Sequence, residues 1–313
     1  MPKFEVMNTN AEEAELAEGF LRECHEKGIQ PIEGELEKTE EDLTMLAEVN
    51  TMLTSVADRF NLKKETIDSR SVHVLPAEAF LKQTTYKTAG MYKAKFESIL
   101  LNDDLLKDKS KRISTLLHES LHAISHQKFF LQEDGTLEPY RVGYGNNPIR
   151  GGRWFDGLNE MVIVFTESTL MRAHADELQR KFVITEEEIA QTAKENECLE
   201  VFLHHILNKV GKYRNEDFVT TADRFVKGHF TGEMLHLKDI EKVYGPHSLR
   251  ILAMLDDGHN LNSQRVPLRR MIVQYFIEAD DTSRKELSTA IIKQFEQVLE
   301  SERSEKKEGE VTN

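Results

Sequence analysis

The sequence is poor in cysteine: its 313 residues contain only two, Cys24 and Cys198. Two thiols build neither a disulfide framework nor a multi-cysteine metal site. They point to a reducing compartment, and the expected location is the cytoplasm. Long apolar runs are also lacking. The longest strongly apolar stretch, Met161 to Phe165, falls far short of the roughly 20 residues that cross a bilayer. The N-terminus, MPKFEVMNTNAEEAE, has no basic region leading into an apolar stretch, so no secretory signal is expected. Basic residues are in deficit: 41 Lys and Arg stand against 55 Asp and Glu, a net charge of −14. Nucleic acid and anionic membrane surfaces both require a basic footprint, and both are excluded as main partners. No internal repeat of solenoid length occurs.

The chain does have enough apolar residues for a substantial core under a charged surface, and it has 12 histidines. Two amphipathic helices are expected first. Residues 11–27 carry Leu16, Phe20 and Leu21 at helical spacing, and residues 40–60 carry Leu43, Leu46, Val49, Leu53, Val56 and Phe60. A strand is expected at 71–75, with His73 packed inside it, and a hairpin or edge strand at 90–101. A helix follows from Ser110, running through HESLHAISHQKFF. Residues 133–157 are rich in glycine and proline and are expected to be irregular. Long irregular segments inside compact domains are often functional. The remainder reads as helices over 157–180, 186–210, 216–228, 236–243, 247–256, 266–278 and 281–301, before a charged tail expected to be disordered.

The chemistry concentrates in His118-Glu119-Ser120-Leu121-His122, an H-E-x-x-H pattern. Residues four apart on a helix lie one above the other, so both imidazoles can reach one metal ion. On a helical wheel Ile113, Leu117, Leu121 and Ile124 form the buried stripe, and the two histidines sit beside it at about 0° and 40°. Glu119 projects to the side, where it can act on a water held by the ion. Zinc at a catalytic site takes three protein ligands. The third ligand is not found just downstream. Ser125 and Lys128 occupy the positions where a metzincin has glycine and histidine. His126 lies too far along a straight helix and reads as structural or exposed. A better choice is Glu160, in Gly157-Leu158-Asn159-Glu160, which opens a strongly apolar helix. Glu167 shares its face, with Val164 and Met171. Buried carboxylates need partners, and Glu167 is expected to accept a hydrogen bond from the far nitrogen of a ligand histidine.

HESLH followed by GLNE at the start of an apolar helix resembles the gluzincin metallopeptidases, the thermolysin-like group with two His and one Glu on zinc. The preceding GMYKAKFESILLND resembles the edge strand beside the active-site helix in that group, which can align an extended substrate. The resemblance covers roughly residues 70–175. It departs from the family in two ways: the gap from His122 to Glu160 is longer than in thermolysin, and Val164 stands where an acid is usual. It implies one Zn2+ per chain, held by His118, His122 and Glu160, with Glu119 as general base and a peptide or protein as substrate. It also implies a downstream His or Tyr that stabilises the oxyanion. Tyr244 and His247 come first, with Tyr213, His229, His236, Tyr140 and Tyr144 also eligible.

The expected fold is α+β and mostly helical, with a small mixed sheet beside the active-site helix, in a zincin-like, two-lobe arrangement. An N-terminal lobe over 1–130 would carry the H-E-x-x-H helix. A helical lobe over 131–301 would carry the glutamate ligand, and 302–313 would form the tail. Two other readings stand beside this one. Glu119/His122 and Glu233/His236 provide two Glu-x-x-His spacings that could serve a carboxylate-bridged di-iron protein. A zinc-stabilised interaction protein without catalysis would use the same ligands.

Overall fold

The computed structural model describes residues 4–7, 11–84, 87–132, 136–147, 154–194, 197–255 and 265–311. Parts of the expected irregular segment, 133–135 and 148–153, lie outside the described residues. The chain is mostly helical with small mixed sheets, an α+β protein. No described helix is long and apolar enough to cross a membrane.

The chain divides into two compact units. The first comprises Met1–Gly143, Ile163–Glu197 and Phe230–Gly232. It holds strand β1 (Phe4–Met7), helices α1 (Ala11–Gly28) and α2 (Glu40–Phe60), β2 (Val72–Leu75), α3 (Ala77–Gln83), β3 (Gly90–Lys93), β4 (Ser98–Asn102), α4 (Lys109–Ile124), β5 (Gln127–Leu131) and β6 (Leu137–Val142). Most of α5 (Asp156–Ala173) also belongs to it, with α6 (Ala175–Phe182) and α7 (Glu186–Lys194). This division differs from the expected one at residue 130, because the chain returns to α4 after leaving it. The Ser110 hydroxyl bonds Thr192 on α7 at 2.9 Å, and Glu167 on α5 bonds His118 on α4.

The elements of this unit follow from local chemistry. Thr39 and Asp42 form a reciprocal capping box at the start of α2, and Asp108 caps α4 through the Lys111 amide. Helix α2 buries Met45, Leu46, Val49, Met52, Leu53 and Val56. Of its expected stripe, Leu43 is exposed. In α1, Leu16 is likewise exposed, while Ala17 and Leu21 pack with Phe129 and Leu137. Ile113, Leu117 and Leu121 of α4 are fully buried, each contributing about 1.5–3 kcal/mol through removal from water. Arg112 holds this helix against its surroundings by ion pairs to Asp42 on α2 and to Asp103, each at 2.7 Å.

One sheet has the order β2-β4-β3, parallel between β2 and β4 and antiparallel between β3 and β4. The expected strand and hairpin are both present, and β3 is an edge. His73 is buried in β2, bridging Glu35 (2.8 Å) and the Gly28 carbonyl (2.7 Å). A second sheet, in which β5 pairs with β1 in parallel and with β6 antiparallel, corrects two expectations. The helix from Ser110 does not continue through QKFF: it stops at Ile124, and Ser125 is extended. The glycine-rich segment is not wholly irregular, since LEPYRV forms β6. A register shift opposite Lys128 and Phe129 leaves Tyr140 as the extra residue, beside Pro139. A bulge tolerates a residue without an amide hydrogen.

The second unit comprises Tyr144–Val162, Cys198–His229 and Glu233–Asn313. It holds a short β7 (Gly145–Asn146), the first turns of α5, and helices α8 (Glu197–Arg214), α9 (Phe218–Thr231), α10 (Lys238–Tyr244), α11 (Ser248–Ala253), α12 (Arg265–Ile277) and α13 (Asp281–Val311). Its core includes Leu203, Ile206, Leu207, Phe225, Ile272, Phe276 and Ile291. Helix α13 extends through residues 302–311, where the composition predicts no order. Glu, Lys and Arg, which fill much of this stretch, are strong helix formers.

Candidate metal centre

Helix α4 presents His118 and His122 one turn apart. Their rings meet edge to face, with centroids 5.0 Å apart and planes at 71°. Glu160 projects from the second turn of α5. One ligand atom from each of His118, His122 and Glu160 lies within 4.8 Å of the other two, and all three residues are half-buried. Among the described residues no other three His, Cys, Asp or Glu side chains come together in this way. Two imidazoles and a carboxylate are a donor set suited to zinc. With Glu119 and Glu167 the group brings three carboxylates together, whose mutual repulsion a divalent cation would offset.

Glu167 lies two turns beyond Glu160 on the same helix and is almost fully buried. One of its oxygens meets His118 Nδ1 at 3.0 Å, and the other accepts from the Ser114 hydroxyl. His118 therefore has its Nδ1 engaged by Glu167. Ser114 had no assigned role. It stands one turn before His118, so helical spacing alone could have indicated it.

Glu119 is also buried, and its surroundings are more constrained than the motif suggests. Its Oε2 accepts the Tyr92 amide hydrogen at 2.7 Å. Tyr92 lies on β3, the edge of its sheet, so the strand spends one of its free amides on this carboxylate. The approach requires Gly90. A Cβ at that position would stand 2.6 Å from Thr115 Cγ2, 3.0 Å from Glu119 Cγ and 3.1 Å from Glu119 Oε1. A glycine inside a strand pattern is the available sequence signal for such a close approach. The Tyr92 hydroxyl accepts from Gln127 Nε2 at 2.7 Å, and burial pushes the phenol pKa well above its ordinary value.

The expected oxyanion donors occupy different settings. Tyr244 is buried against Phe276, with Lys209 and Arg284 over its ring and, among the described residues, no hydrogen bond to its hydroxyl. Burial raises this phenol too. His247 is exposed, at a positive φ of 71° before α11, and Tyr213 is exposed near the end of α8. Tyr140 occupies the β6 bulge. Tyr144 is fully buried: its hydroxyl donates to the Phe225 carbonyl at 2.6 Å and meets His236 Nε2 at 2.6 Å. His229, also fully buried, packs edge-on against Tyr144. His126 is buried just after α4, and its carbonyl accepts from the Gly143 amide. Glu233 and His236 lie on a coil and a 3-10 turn rather than on an α-helix, and neither belongs to the three-ligand cluster.

The chain was compared with protein-family models, characterised proteins and solved structures, and none of them matches it.

Proposed function

We propose that the protein is a zinc-dependent hydrolase of peptide bonds, built on the two-lobe plan of the gluzincins. The observation that carries the reading is the convergence of His118, His122 and Glu160 within 4.8 Å. A zinc ion held there supplies a Lewis acid and acidifies water. The remaining chemistry belongs to the chain. Glu119, held by the Tyr92 amide, would take a proton from the attacking water and return it to the leaving amine. Glu167 orients His118 and raises its basicity. An extended peptide or protein substrate would lie along the rest of the β3 edge, whose Tyr92 amide is already taken by Glu119. Free Cys24 and Cys198 are compatible with a reducing, cytoplasmic setting.

The test combines metal analysis of protein purified without added metal with hydrolysis of a broad peptide library. About one zinc per chain and peptide cleavage are expected, together with a Glu119→Gln variant that keeps zinc and loses cleavage. Two irons per chain would replace this reading with a di-iron one. Zinc without cleavage in either protein would leave a structural metal.

A further inference from the structure

We infer that Asn159 and Tyr144 are positioning residues for the Glu160 ligand, although neither belongs to the ligand cluster; the inference rests on the metal centre proposed above. Glu160 stands only one turn inside α5, where a helix has few bonds of its own. Its position is set by what holds that turn. The Asn159 side-chain oxygen accepts two consecutive backbone amides, Tyr144 at 3.0 Å and Gly145 at 3.2 Å. The Phe155 and Gly157 amides donate to the Ala253 and Leu255 carbonyls, each at 2.9 Å. Phe155 itself takes a positive φ of 63°, a conformation that persists for such a residue only where the surroundings enforce it.

The far end of the Asn159 attachment is equally fixed. Tyr144 is anchored through its hydroxyl to the Phe225 carbonyl and His236. With that hydroxyl donating to a carbonyl, His236 Nε2 is the donor to Tyr144. Gly228 makes the packing possible: a Cβ there would fall 2.2 Å from His236 Cε1 and 2.6 Å from the Tyr144 hydroxyl. A path of hydrogen bonds thus runs from α9 through Tyr144 to Asn159, the residue before Glu160. The buried Tyr144 and His236, eligible from the sequence as oxyanion donors, act in this path as the anchor of the ligand arm.

The test measures zinc affinity by competition with a chromogenic chelator, and the cobalt(II) absorption spectrum, on the full chain and its variants. Asn159→Ala is expected to weaken zinc by about tenfold or more and to alter the cobalt spectrum, as loss of a ligand's supporting hydrogen bond does. Asn159→Asp keeps the acceptor oxygen and is expected to restore affinity to within about threefold of wild type. Tyr144→Phe, which removes only the hydroxyl, gives a smaller loss in the same direction and serves if Asn159→Ala does not fold. Wild-type affinity and an unchanged cobalt spectrum in Asn159→Ala or, where it alone is folded, in Tyr144→Phe would overturn the positioning role while leaving the metal centre intact. Failure of Asn159→Asp to restore affinity would overturn it as well. A wild-type chain that takes up neither zinc nor cobalt would instead overturn the metal centre, and with it the role of its supports.

Discussion

Helix α4 and the first turns of α5 would supply the proposed metal centre by opposite means. On α4 the two histidines are set together by the helix period: four residues make one turn, and any well-packed helix would deliver them. Its buried Ile113, Leu117 and Leu121 hold the helix in place. Glu160 has no such local guarantee. Its helix has barely begun, and its position depends on amides and carbonyls from Tyr144, Gly145, Ala253 and Leu255. A ligand pair close in sequence can be robust to its surroundings, whereas a ligand distant in sequence is only as precise as its attachments.

This contrast can be broken from either side. The largest effect is expected from Glu119→Gln, which should lower peptide turnover by about 10²- to 10⁴-fold with zinc content unchanged by metal analysis. Glu160→Ala should weaken zinc by more than about 100-fold, since a ligand counts for more than its supports; unchanged affinity would remove it from the set. Glu167→Ala should cost about 10- to 100-fold in zinc affinity, because His118 loses its orienting partner and Ser114 its acceptor. Gly90→Ala should leave zinc affinity alone and lower turnover by about tenfold through displacement of Glu119, separating the base from the ligands.

The smallest expected effect lies in the scaffold, at Glu35. Burial by itself would raise its pKa, but hydrogen bonds from Lys38, His73 and the Ile32 amide outweigh it and hold the pKa below the ordinary value. A depressed folded-state pKa means stability that is present above the unfolded pKa and lost as pH falls through the folded one. Urea unfolding should therefore show Glu35→Gln less stable by about 1–2 kcal/mol at neutral pH, with the difference closing below about pH 4.

The site was partly legible because α4 carries its information locally. His118, Glu119 and His122 follow from one helical turn, and the glutamates at 160 and 167 from apolar periodicity. The settings of Glu119 and Asn159 were not legible, because the Tyr92 amide is 27 residues away from Glu119 and the Tyr144 amide 15 residues away from Asn159. Backbone amides also have no sequence signature. The end of α4 departs from the helical expectation for a related reason: QKFFL is compatible with helical spacing, but β1 and β6 offer it a ladder on both sides, and tertiary pairing overrides propensity. For residues 302–311 the charged composition predicts no order, yet the helix continues, in keeping with the helix propensity of Glu, Lys and Arg.

The sequence by itself determined the helix that pairs two histidines, the apolar helix bearing two acids, and the hairpin with an open edge. Each is encoded within a few residues by spacing and side-chain type. Only the tertiary structure decided that Glu160 meets the histidines, that Glu167 and Ser114 share His118's side of the helix contact, and that β3 holds Glu119 by an amide. Those are meetings between segments far apart in the chain, fixed by packing and by the need of buried polar groups for partners.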